Sequence, residues 1–305
     1  MTIQISKIDD AAAWTALLAK APRSALQQSA AYGTAIAAVG NGIERLACVE
    51  DDTTVALCQV CTRRLPAGIG RLHVGLRGPV WLTAQQDRRA RAAQALRAHY
   101  RWCRGDIFIA QPEDTDGHAF RQSGAKPVMT GSSTAWLDLR ADEAELRRGL
   151  DGKWRNTLVK AEKSRLRVET SHGGRFLDAL LHADQGQQGR RGFFAAPIPF
   201  NRALTGALPR RDVLVLSALD KARHLAGILI LRHGPCATYS IGWSDDEGRE
   251  RGAHNLLLWH GICAVRKAGA RWLDLGGIDT EDGAGIARFK LGTGAIPETL
   301  AGSFL

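Results

Sequence analysis

A chain of 305 residues exceeds the ~250–300 at which a single hydrophobic core stops growing, so two cores are expected. With 45% hydrophobic and 24% charged residues, no low-complexity tract, and no apolar run near the ~20 residues that span a bilayer, the composition argues against a disordered chain and against a helical membrane protein. The net charge of +10 favours a polyanionic partner such as nucleic acid, acidic lipid or a phosphorylated substrate. The first residues, Met1 to Lys7, lack the charged-then-apolar layout of a signal peptide, and a cytoplasmic location is expected.

In chain order, the stretch 48–57 reads as strand, acidic turn, strand, with the second strand running over 55–62. Cys58 and Cys61 in that strand point to opposite faces, which disfavours a metal or redox pair. All six cysteines (48, 58, 61, 103, 236 and 263) sit in strand-like or helix-like stretches and are expected to be buried reduced thiols. The nine histidines are scattered, with His254 and His260 six apart, so neither a metal nor another cofactor is expected. A helical pattern over 92–104 then runs into the apolar strand 107–110. The polar turn Gly131-Ser132-Ser133-Thr134 marks a boundary, predicting domains at 1–135 and 136–305.

Beyond the boundary come a strand over 134–139 and a helix opening on Asp142, with acids in its first turn. Between Arg147 and Arg167 lie eight basic residues and two acids. At helical spacing Trp154, Leu158 and Ala161 share a docking face, while Lys153, Asn156, Lys160 and Lys163 share another. Such a face is either solvated or neutralised by an anion, because like charges on one helix face repel. Arg190 and Arg191, between glycines, suit a carboxylate or phosphate, or are plain surface arginines.

The second half repeats the first in pattern. Residues 218–227 read as another strand, turn and strand, placing Leu225 at an offset of 170 from Val55. The strand over 236–243 carries Tyr239, suited to orient an acceptor or relay a proton, or else to fill a core. A helix over 255–267, a stop at Gly269 and a strand over 272–275 follow, placing Leu273 at an offset of 166 from Ile107. Two landmarks at nearly equal offsets indicate an internal duplication. The expected fold class is α/β (α+β), with mixed sheets flanked by helices. Gly276-Gly277, directly after that strand, stands where such sheets open to ligands.

Several segments resemble the Fem peptidyltransferases. Lys153-Trp154-Arg155-Asn156-Thr157-Leu158-Val159-Lys160-Ala161-Glu162-Lys163 is similar to that family's K-x-R-x-x-I-x-K-A-E-K helix. Trp272-Leu273-Asp274-Leu275-Gly276-Gly277 resembles its Y-D-L/F-G-G strand end, and Gly285-Ile286-Ala287-Arg288-Phe289-Lys290 its G-x-x-x-F-K segment. Gln28-Ser29, Arg77-Gly78-Pro79 and Arg190-Arg191-Gly192-Phe193 resemble weaker family motifs, all in the family's order. The long coiled-coil arm of some members is absent.

The resemblance implies tandem GNAT-like domains and transfer of an aminoacyl group from aminoacyl-tRNA to an amine on a peptidoglycan precursor or another small molecule. It makes Lys290 the partner of the transition-state oxyanion, with Tyr239 as second catalytic residue. Arg190, Arg191, Gly276, Gly277 and Phe289 become substrate-binding, and Lys153, Arg155, Lys160 and Lys163 RNA-binding. Two alternatives stand beside it. Arg249-Glu250-Arg251-Gly252-Ala253-His254 half-matches the pyrophosphate loop of acyl-CoA-dependent GNAT enzymes, with a bulky histidine at its final small position. A non-enzymatic RNA-binding protein would use the 147–167 face alone.

Overall fold

The computed structural model describes residues 2–191, 196–280 and 283–305, without the side chains of Ala67 and of residues 187–191. In chain order the first elements are β1 (Gln4–Lys7), α1 (Ala11–Leu18), α2 (Ala30–Ala38), β2 (Gly42–Glu50), β3 (Thr53–Arg64), β4 (Arg71–Gly75), β5 (Val80–Trp81), α3 (Gln86–His99), β6 (Asp106–Ala110), α4 (His118–Gln122) and β7 (Pro127–Met129). There follow β8 (Ser133–Asp138), α5 (Glu143–Arg148), α6 (Gly152–Glu162), β9 (Arg167–Ser171), α7 (Arg175–Arg191), α8 (Ile198–Ala207), β10 (Val213–Asp220), β11 (Arg223–His233) and β12 (Cys236–Ser244). The chain closes with α9 (Asp246–Glu250), α10 (Ala253–Lys267), β13 (Trp272–Ile278), α11 (Ala284–Leu291), β14 (Ile296–Thr299) and β15 (Ser303–Phe304).

Two compact units result, one of Met1–Ser132 with Thr299–Leu305, the other of Ser133–Glu298. The last seven residues were expected in the second half and instead complete the first. Phe304 is the reason, because its ring is buried and stacks on Phe120 at 5.6 Å. The first sheet runs β1-β2-β3-β4-β6-β15-β7, with β5 on β3; the second runs β14-β8-β13-β12-β11-β10-β9. Both are mixed. In each unit an antiparallel hairpin (β2–β3, β10–β11) precedes a parallel pair (β4–β6, β12–β13) whose connection contains a long helix, α3 or α10.

In the first unit, two weak sequence motifs meet. The buried Gln28 side chain donates to Leu76 O at 2.7 Å and accepts from Gln59 N at 2.7 Å, tying the turn before α2 to the loop that carries Arg77-Gly78-Pro79. A Cβ on Gly78 would stand 2.5 Å from that amide, so a glycine is required there. In the second unit, Leu216, Ile228 and Ile230 of the sheet pack beneath Leu158 of α6 and Leu257 and Ile262 of α10.

The basic helix α6 ends at Glu162, and Arg165 turns left-handed (φ 59°) on the way into β9. The helix expected through Arg104 likewise stops at His99; Tyr100 is extended, and Trp102–Arg104 forms a separate 3-10 turn. That turn exposes Cys103, correcting the expectation that all six thiols are buried. Cys48 and Cys58 are buried, and desolvation pushes the Cys48 thiol up to about 12. Among the described residues no helix is long and apolar enough to cross a membrane, and no group of three or more His, Cys, Asp or Glu side chains is arranged to hold a metal.

Candidate functional site

The second sheet opens where its parallel pair separates. The β12–β13 ladder pairs Cys236 with Trp272, Ala237 with Leu273 and Thr238 with Asp274, and ends there although both strands continue. Each strand has an irregularity at that level. The β13–β8 register shifts between Asp274 and Gly277, and the β11–β12 register shifts opposite Tyr239 and Ile241. The buried Asp274 carboxylate fixes the first shift by accepting from Gly276 N at 2.8 Å and Thr134 Oγ1 at 3.0 Å. Gly276 has φ 76°, which only glycine adopts without strain.

Lys290, in the last turn of α11, reaches this break. It is only 9% exposed, and its Nζ donates to Gly277 O at 2.7 Å. Burial holds its pKa below the usual lysine value, opposed by the Asp274 carboxylate. One carbonyl satisfies one of the three ammonium donors, leaving capacity for a substrate oxygen. The glycine-rich segment around Lys290 is a helix over Ala284–Leu291 that packs the lysine inward.

Across the opening, the Tyr239 hydroxyl lies 2.7 Å from His254 Nε2. Burial raises the phenol pKa and, with Arg249 adding to the effect, lowers His254 to about 4, so both are neutral at pH 7. The pair tolerates no side chain at Gly242, whose Cβ would stand 1.8 Å from the hydroxyl. His254 meets Phe289 edge-on at 5.2 Å, and Phe289 packs against Trp154 at 6.1 Å. The Trp154 indole donates to Phe289 O at 3.0 Å, bolting α6 to the helix that carries Lys290. Lys290, Tyr239, His254 and Phe289, with Ser244, Arg249, Asn255 and Ile286, line a cavity of about 550 Å³. It has the parts for acyl transfer: a buried cation, a neutral hydroxyl–imidazole pair and apolar walls.

The acetyltransferase (GNAT) domain family matches residues 145–291. No curated protein matches the chain at the sequence level. The crystal structure of FemX superposes with a TM-score of 0.84 at 15% identity, over 99% of this chain and 96% of that one. The chain has a Fem-like tandem GNAT fold. A tandem GNAT protein from the clavulanic acid biosynthesis pathway shares it with a TM-score of 0.54 at 14% identity, covering 99% of this chain and 97% of that one. So does the C-terminal domain of a putative lysylphosphatidylglycerol synthetase from Agrobacterium fabrum, with a TM-score of 0.57 at 12% identity, over 97% and 92%.

Within this Fem-like fold, Lys290, Phe289 and Tyr239 come together on the cavity, and Gly276-Gly277 adjoin it through the carbonyl that Lys290 holds. Lys153, Arg155, Lys160 and Lys163 do not reach it. They lie exposed on α6 and its C-terminal cap, without an ion pair among the described residues, and the Trp154 indole of the same helix meets Phe289 of the site. Arg190 and Arg191 end α7 rather than forming a loop, and their side chains lie outside the described residues. His254, Gly242 and Asn255 escaped the sequence reading as site residues. His254 was visible only as the misfit in a pyrophosphate loop.

Proposed function

We propose that the protein is an aminoacyltransferase that moves an aminoacyl group from aminoacyl-tRNA onto an amine acceptor, a peptidoglycan precursor or another small molecule. The observation that carries this reading is the inward-packed Lys290 ammonium at the opened β12–β13 pair, beside the neutral Tyr239–His254 couple. The acceptor amine attacks the ester carbonyl, forming the C–N bond and a tetrahedral oxyanion that Lys290 stabilises. As the intermediate collapses, the C–O bond to the ribose breaks. Tyr239 and His254 carry the proton lost by the amine toward the departing ribose oxygen. Gly276, Gly277 and Phe289 shape the acyl pocket, and Arg190 and Arg191 contact an anionic group of the acceptor. Supplying labelled aminoacyl-tRNA or labelled acyl-CoA separately, with an amine, tests the reading: only the former should lose label.

Two features favour this donor over acyl-CoA. The Arg249 guanidinium donates to Ser244 O at 2.6 Å and pairs with Asp246, while Arg251 pairs with Asp220 and Glu247 and donates to Ser164 O at 2.7 Å. Both loop arginines are thus engaged within the protein. At Gly252 a Cβ would stand 2.7 Å from Thr157 Cγ2, so α6 closes on the start of α10, where a pyrophosphate would dock.

Removal of the Tyr239 hydroxyl separates its chemistry from its packing. Tyr239→Phe keeps the ring and is expected to lower turnover about 100-fold with little change in donor affinity. Steady-state kinetics check this, and unchanged turnover would leave Tyr239 as a packing residue. For the donor body, Lys153, Lys160 and Lys163 contact RNA phosphates. Changing all three to glutamine is expected to reduce the slope of log affinity against log salt by roughly two, measured by filter binding of tRNA over a salt series. Stability should change by less than about 0.5 kcal/mol, and an unaltered slope would mean the face is only solvated.

A further inference from the structure

In the first unit, the turn between β3 and β4 and the 3-10 turn before β6 make one tip. Leu65 N donates to Gly70 O at 2.9 Å, Arg71 N donates to Gly105 O at 2.8 Å, and a Cβ on Gly70 would stand 2.2 Å from Gly105 O, so the two turns meet backbone to backbone. Ile69 on the first turn is 73% exposed and Trp102 on the second is 70% exposed, the two most exposed large apolar side chains among the described residues. The Trp102 indole makes no hydrogen bond or ring contact among the described residues. Arg63 and Arg64 end the strand that enters the first turn, and Arg101 and Arg104 flank Trp102 in the second, all four exposed and without an ion pair among the described residues. Arg71, paired with the buried Asp106, adds no free charge.

We propose that this tip docks the protein on an anionic lipid surface, Trp102 and Ile69 entering the headgroup boundary while the arginines meet lipid phosphates. Indole suits that boundary, with an apolar body and one N–H for the wet side. Each guanidinium near an anionic surface is worth roughly a fivefold gain in partitioning. Trp102 alone would also serve as a stacking platform for an unpaired base, but Ile69 offers a nucleic acid neither a π-face nor a donor. An aliphatic residue at the apex of a basic turn fits a surface that is charged outside and apolar beneath. The tip belongs to the first unit, and the proposal does not depend on the donor assigned to the Lys290 cavity.

Co-sedimentation of the full chain with phosphatidylcholine vesicles, with and without phosphatidylglycerol, tests the proposal. The protein is expected to pellet with the anionic vesicles, and less so as salt rises. Ile69→Ser combined with Trp102→Ala should weaken that binding roughly tenfold or more, and Arg101→Gln combined with Arg104→Gln should remove much of its salt dependence. All four side chains are exposed, so circular dichroism should show an unaltered fold. The variant with Lys153, Lys160 and Lys163 changed to glutamine is the control and should still bind vesicles. Three outcomes overturn the proposal: equal pelleting with both vesicle types, loss of binding in the lysine variant but not the tip variants, or tip variants that lose single-stranded RNA binding while keeping vesicle binding.

Discussion

Lys290→Met is expected to lower turnover ~100–1000-fold, the usual cost of removing one oxyanion donor. Methionine keeps an unbranched apolar stem in a buried slot while removing the ammonium, so the fold should survive. Gly277 loses its 2.7 Å donor, but that glycine is exposed and water can replace the bond. Removing a desolvated cation also relieves the burial that depresses the Lys290 pKa, which offsets the lost hydrogen bond. Donor affinity should stay within a few-fold, because the oxyanion exists only in the transition state. A variant turning over at the wild-type rate would remove Lys290 from the chemistry. Equal loss of donor binding and turnover would make it a binding residue, with the Gly276-Gly277 amides next in line for the oxyanion.

Trp154→Ala is expected to destabilise the second unit by about 3–5 kcal/mol, as for other buried aromatic truncations. Trp154 is nine-tenths buried, and Gly292 lies so close that its Cβ would stand 2.6 Å from the indole. The alanine variant leaves a void between α6 and α11 and strips Phe289 O of its donor. Activity should fall with stability, since α11 then holds Phe289 and Lys290 less firmly. Trp154→Phe fills most of the void without restoring the N–H. It should recover most of the stability in urea unfolding but less of the turnover. Equal stability of Trp154→Ala and wild type would mean that α6 is not an anchor of the site.

The tandem layout was legible because periodicity and turn chemistry are local. The acidic turns at 51–52 and around Asp220 mark hairpins in both units, and helix patterns point to α3 and α10. The docking face of α6 followed from the spacing of Trp154, Leu158 and Ala161, all buried as read. Lys290 entered through a family resemblance, and its burial was not readable, because by sequence alone such a lysine caps a helix or faces solvent equally well. His254 was hidden for a different reason. It meets Tyr239 only because β12 leaves its parallel partner and α10 begins beside the gap, a long-range event without a local signature. The exposed tip was missed because Trp102 fits the helical period of α3, and only the extended Tyr100 takes it out of that helix.

The measurement that tests the account most directly is single-turnover transfer from two labelled donors, an intact aminoacyl-tRNA and a short 3′-aminoacyl-adenosine fragment without the tRNA body. Wild type is expected to use both in the presence of an amine acceptor. The variant with Lys153, Lys160 and Lys163 changed to glutamine should lose its preference for the intact tRNA while handling the fragment normally. Lys290→Met should fail with both. Consumption of acyl-CoA with neither aminoacyl donor touched would contradict aminoacyl transfer and assign the cavity to an ordinary acyl-CoA reaction.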